Sequence, residues 1–191
     1  HDLISLAQQG IDAAVRNGNA DICFAGIGLL AKIHASEGCI DLAKQQVNDF
    51  SEKCVPDGNR LLDRNIEALK VWLELLAGNV QPVAEWLGKV PSSTIVYKNV
   101  REDRIARPRG KAPNEIIDFN IADRFCYLIK VAALVFMEHY EEAWNLSMRI
   151  RGYLKEYKRT YLDIENTMLQ ALILSRLGQE DWRPLMAEAF L

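Results

Sequence analysis

Nine polar residues recur at matched places in three stretches of the chain. Setting residues 78, 138 and 178 in register puts Asp63, Asp123 and Asp163 at one position. Glu67, Tyr127 and Thr167 then share a second position, and Lys70, Lys130 and Gln170 a third. Steps of four and then three residues return to the same side of an α-helix, so each set of three occupies one face. Carboxylates, hydroxyls and ammonium groups in such rows can hydrogen-bond and ion-pair with a ligand or a partner protein, which is binding chemistry. The solvated face of an amphipathic helix has the same composition, so both readings stay open.

The groups that would carry out a reaction are not gathered by any spacing. Gly110-Lys111 is followed by Ala112 and opens no helix, so there is no phosphate-cradling loop. HExxH, GxSxG and CxxC motifs are missing too. His1, His34 and His139 form no metal-ligand spacing, and Cys23, Cys39, Cys54 and Cys126 are scattered through apolar stretches. That distribution argues against zinc and against a disulfide framework, and points to a reducing, cytoplasmic setting. Glu141-Glu142 and Glu180-Asp181 read as helix starts, where carboxylates meet the positive end of the helix dipole. The expectation is a non-enzyme with neither a metal nor a cofactor of its own.

The elements that position the polar rows are helices. Apolar residues repeat at three and four throughout, predicting helices over 20–37, 40–54, 60–77, 80–89, 117–138, 140–157, 159–177 and 180–191. A further helix at the start carries the stripe Leu3, Leu6, Ala7, Ile11, Ala14 and Val15 and ends at Asn17-Gly18-Asn19. Corners at 38, 78, 138 and 178 are spaced by 40, 60 and 40 residues, a period of 40 with a 20-residue insertion in the middle interval. Helix pairs of fixed period that cannot each bury their apolar faces alone predict an all-α solenoid, tetratricopeptide-like in kind. Trp72, Trp86, Trp144 and Trp182, on separate helices, are expected to pack between helices. Gly26 and Gly28, inside one helix, suggest a close approach of a neighbour.

The chain of 191 residues reads as one helical-repeat domain interrupted by a basic loop at 91–114. That loop has six basic residues against Glu102 and Asp103, a net +4, with three prolines and a glycine. It reads as a solvated surface loop, or as a flap for an acidic or phosphorylated partner, and proteases are expected to cut there first. With a formal charge of -3 overall, the segment has no basic excess for nucleic acid. The longest apolar run, Val131 to Met137, is too short to cross a membrane. The opening His1-Asp2-Leu3-Ile4-Ser5 has neither a start methionine nor a leader and reads as the edge of an excised piece.

Two stretches carry a family resemblance. Ile164 to Gln179 (IENTMLQALILSRLGQ) resembles the helix and corner closing the tetratricopeptide-like region of MalT-like, LuxR-type ATP-dependent transcriptional regulators. Val83-Ala84-Glu85-Trp86-Leu87 resembles the short tryptophan-bearing helix before a variable loop in the same family. Ala132 to Met137 and Tyr140-Glu141-Glu142-Ala143-Trp144 then follow in the family's order. The resemblance covers roughly residues 60–191. It departs in a longer, more basic loop after Trp86 and in Glu138, where a corner glycine is usual.

The resemblance implies a regulator with an N-terminal nucleotide-binding switch, a central superhelix and a C-terminal helix-turn-helix. The superhelix senses a small-molecule inducer or a regulatory protein and supports self-association. This chain is then expected to be part of that superhelix, making no direct nucleic acid contact while its parent binds DNA. The alternative is a free-standing helical-repeat scaffold that joins proteins.

Overall fold

The computed structural model describes residues 2–54, 60–89, 124–156 and 160–190. The basic loop at 91–114, the expected helical residues 117–123 and Asp123 lie outside them. Every element among the described residues is an α-helix: α1 (Asp2–Arg16), α2 (Ala20–Ser36), α3 (Ile40–Cys54), α4 (Arg60–Leu76), α5 (Val80–Lys89), α6 (Arg124–Phe136), α7 (Tyr140–Glu156), α8 (Thr160–Arg176) and α9 (Trp182–Ala189). No described helix is long and apolar enough to cross a membrane.

Five corners share one geometry. Residues 18, 38, 78, 138 and 178 all have positive φ, between 63 and 78°. The next residue's N–H donates to the carbonyl five residues back: Asn19 to Ala14 (2.9 Å), Cys39 to His34 (2.8 Å), Asn79 to Glu74 (3.0 Å), His139 to Leu134 (2.8 Å) and Gln179 to Leu174 (3.0 Å). This is the Schellman ending, which satisfies carbonyls that a helix C-terminus would leave open. Four of the five hinge residues are glycine, free to take that backbone; Glu138 takes it at φ 63° against the steric preference of its Cβ.

The even-numbered helices form a continuous row. α2 packs on α4, α4 on α6 and α6 on α8, and each also packs on the odd-numbered helices before and after it in the chain. Successive odd helices make no comparable contact among the described residues. Leu62, Ile66, Leu69 and Leu73 of α4, at spacings of four, three and four, bury themselves against α2 and α3 in a core that continues into α1. Val83 and Trp86 of α5 pack with Ala68 and Val71 of α4 and Cys126, Ile129 and Ala133 of α6. Leu128, Val131 and Leu134 of α6 meet Ala143, Ile150 and Leu154 of α7 and Ile173 of α8.

The opening stripe divides on folding. Ala7, Ile11 and Ala14 are buried, whereas Leu3, Leu6 and Val15 are exposed. Gly26 provides the close approach expected of it, since a Cβ there would lie 2.5 Å from Cγ1 of Ile11; Gly28 has open space instead. Trp86 is buried, and Trp72 and Trp144 are partly buried against the core.

Candidate functional site

The matched polar positions on α4, α6 and α8 meet three different surroundings. On α4, Asp63 and Glu67 are exposed and Lys70 is half-buried, its Nζ 3.3 Å from Oε1 of Glu67. On α6, Tyr127 is half-buried against the α6–α8 core and Lys130 is only 5% exposed. On α8, Asp163 is half-buried, with one carboxylate oxygen enclosed and without a partner among the described residues. Thr167 and Gln170 of α8 are buried outright.

Gln170 belongs to a polar layer between α7, α8 and α9. Gln170 Oε1 accepts from Nη1 of Arg151 on α7 at 3.2 Å, and Gln170 Nε2 lies 3.3 Å from the Met148 sulfur. Arg151 also pairs with Glu188 of α9. Ser147 Oγ and Oδ1 of Asn166 are 3.1 Å apart, and Asn166 Nδ2 donates to the Ser147 carbonyl at 3.1 Å. Both of those residues are fully enclosed. α8 thus hides polar side chains and leaves Ile164, Met168 and Leu172 at the surface. The polar ribbon is solvent-facing on α4 and interior on α8.

Lys130 lines a cleft of about 290 Å³ between α5, α6 and α7. Ala84, Leu87, Gly88 and Leu134 supply apolar wall, and His139 and Glu142 supply polar edges. Burial pushes the Lys130 ammonium below its ordinary pKa of 10.5, an effect that the Glu142 carboxylate and then Cys126 partly oppose. An ammonium, an imidazole and a carboxylate around an apolar pocket suit a small polar ligand. Among the described residues no group of three or more His, Cys, Asp or Glu converges as metal ligands would.

Three features had no counterpart in the sequence reading. Lys32 of α2 reaches across to α8, donating to the Tyr161 hydroxyl at 3.2 Å and to Glu165 Oε1 at 3.3 Å. Burial acts to lower the Lys32 pKa, but the Glu165 carboxylate and Tyr161 outweigh it and hold the value above 10.5. Phe24 of α2 meets Phe125 of α6 edge-on, with ring centroids 5.9 Å apart. Buried His34 has neither ring nitrogen hydrogen-bonded among the described residues, and Nδ1 lies 3.7 Å from the Glu37 carboxylate. The contacts of α2 with α6 and α8 curve the even row so that its first helix touches its third and fourth. Comparison with protein-family models, curated proteins and solved structures finds no match to the chain.

Proposed function

We propose that the chain is a helical-repeat superhelix that binds rather than transforms its target. In this reading it is the sensor and self-association region of a MalT-like, LuxR-type transcriptional regulator, taking up a small inducer or a regulatory protein. The observation that carries the repeat reading is the even row with its five like corners, since repeat arrays bind through the long surfaces that such stacking creates. The cleft at Lys130 is the seat we assign to a small inducer, with Glu142 and His139 at its rim. Contact with DNA falls to another part of the parent protein.

The regulator assignment draws on the resemblance of residues 60–191, and the coding sequence on either side tests it. A nucleotide-binding loop upstream and a helix-turn-helix downstream are expected. Their absence would leave the scaffold reading, which the exposed apolar residues Leu3, Leu6, Ile22 and Leu29 at one end of the row favour.

A further inference from the structure

One corner differs from the rest, and the cleft at Lys130 is built on it. The described corners at 18, 38, 78 and 178 turn on glycine, whereas the one at 138 turns on Glu138 at φ 63°. Met137 and His139, the residues on either side of Glu138, both line the cleft. A non-glycine residue held in the left-handed region is strain of the kind that functional sites keep.

The charges gathered there are not a repeat feature. Lys130 stands eight residues before its corner, and its counterparts are Leu30, Lys70 and Gln170. Lys70 pairs with Glu67 on its own helix, and Gln170 accepts from Arg151. On α6 the residue three before Lys130 is Tyr127, and the carboxylate at the cleft comes from the next helix as Glu142. The other corners place Leu42, Pro82 and Trp182 where Glu142 stands. The cleft therefore sets an ammonium, on a residue only 5% exposed, below a carboxylate on an exposed residue at its rim. Ala84, Leu87, Leu134 and Met137 give it apolar wall, and over Gly88 it is open, since a Cβ there would meet no atom within 4 Å.

A volume of about 290 Å³ lies at the small end of ligand pockets, which suits a metabolite rather than a peptide. A plain organic acid would answer Lys130 but set a second anion against Glu142, and an amine would set a second cation against Lys130. A sugar would meet too few polar groups along the apolar wall. A zwitterion with an apolar tail answers both charges and the wall together. A lysine ammonium has three N–H donors, so it can receive a ligand carboxylate alongside contacts within the fold. We propose that the cleft binds a free aliphatic α-amino acid, its carboxylate on Lys130, its ammonium toward Glu142 and its side chain on Leu87, Leu134 and Met137. The proposal names the ligand class of the small-inducer reading above and rests on it.

Titration calorimetry of the chain with L-leucine tests it. Isocaproate and isoamylamine, the same skeleton without the ammonium or without the carboxylate, are the controls. L-leucine should bind at least about tenfold more tightly than either, and Lys130→Met should weaken it by about 10–100-fold. Glu142→Gln should bring L-leucine and isocaproate to similar affinities, a change of preference that mere damage to the fold would not give. Gly88→Leu fills the mouth from open space and suits a helix better than glycine, so it should abolish binding while the melting temperature holds. That variant keeps the test decisive if Lys130→Met fails to fold. The proposal is overturned if neither calorimetry nor equilibrium dialysis finds binding of L-leucine, L-methionine or L-valine. It is also overturned if isocaproate binds the unaltered chain as tightly as L-leucine, or if L-leucine binding survives Gly88→Leu. The regulator reading fails separately, on flanking coding sequence without a nucleotide-binding loop or a helix-turn-helix, whatever L-leucine does.

Discussion

Replacing Gln170 by alanine should cost this protein far more than its polarity suggests. The side chain is fully buried, and its amide oxygen accepts from Arg151 Nη1 at 3.2 Å. Arg151 Nε has no other described partner, so losing Gln170 leaves the guanidinium dependent on Glu188. A hydrogen bond to a charged group contributes about 1.5–3 kcal/mol, and the small cavity left behind adds roughly 1 kcal/mol. A total of about 2.5–4 kcal/mol corresponds to a fall in melting temperature of about 5–15 °C for a chain of this length. Glu67→Ala removes an exposed ion pair with Lys70 and should shift it by less than about 2 °C. Thermal and urea denaturation followed by circular dichroism measure both, with Gln170→Glu expected to keep the acceptor and lose less. Similar melting temperatures for Gln170→Ala and Glu67→Ala would refute the burial of α8's polar face.

Three other perturbations bear on the same architecture. Gly26→Ala should destabilise by about 1–3 kcal/mol through the collision with Ile11, and adding Ile11→Ala should cost less than the two single changes together, as a double-mutant cycle will read. Glu138→Gly should raise the melting temperature by about 2–4 °C, because a glycine relieves a left-handed backbone that costs a non-glycine residue about 1–2 kcal/mol, less some chain entropy. Burial acts to raise the Glu74 carboxyl, but the Asn79 amide and the Lys44 ammonium, 2.7 Å away, outweigh it and hold the pKa below 4.5. Its stabilisation is therefore present above pH 4.5 and fades as pH falls through the lowered value, so Glu74→Gln should melt earlier than the parent at pH 7 and together with it in strong acid.

Most of the helices were legible because each buries a stripe of apolar residues against neighbours on one side. α3 spans 40–54 as its periodicity predicts, and α2, α4 and α5 agree to within one residue. α9 starts at Trp182, later than the acidic pair suggests: Asp181 is its N-cap, with helix-like backbone angles and no capping hydrogen bond from its side chain. Exposure was harder to read. Leu3 and Leu6 share a stripe with Ala7 and Ile11, but a stripe broader than the contact leaves its edge in solvent. On α8, polar Asn166 and Gln170 lie inside because α7 offers them partners, and that depends on residues up to 22 positions away. Lys32 meets residues 129 and 133 positions away only because the even row curves, and curvature is not written in a local period.

That curvature joins the two ends of the row, and zero-length carbodiimide cross-linking followed by peptide mass spectrometry measures it. Lys44 and Glu74, on neighbouring α3 and α4, serve as the internal standard. The stacked row predicts a Lys32–Glu165 cross-link within the monomer alongside the Lys44–Glu74 one. Lys44–Glu74 product without any Lys32–Glu165 product would mean that α2 and α8 do not meet, and the curved row of even helices would be contradicted.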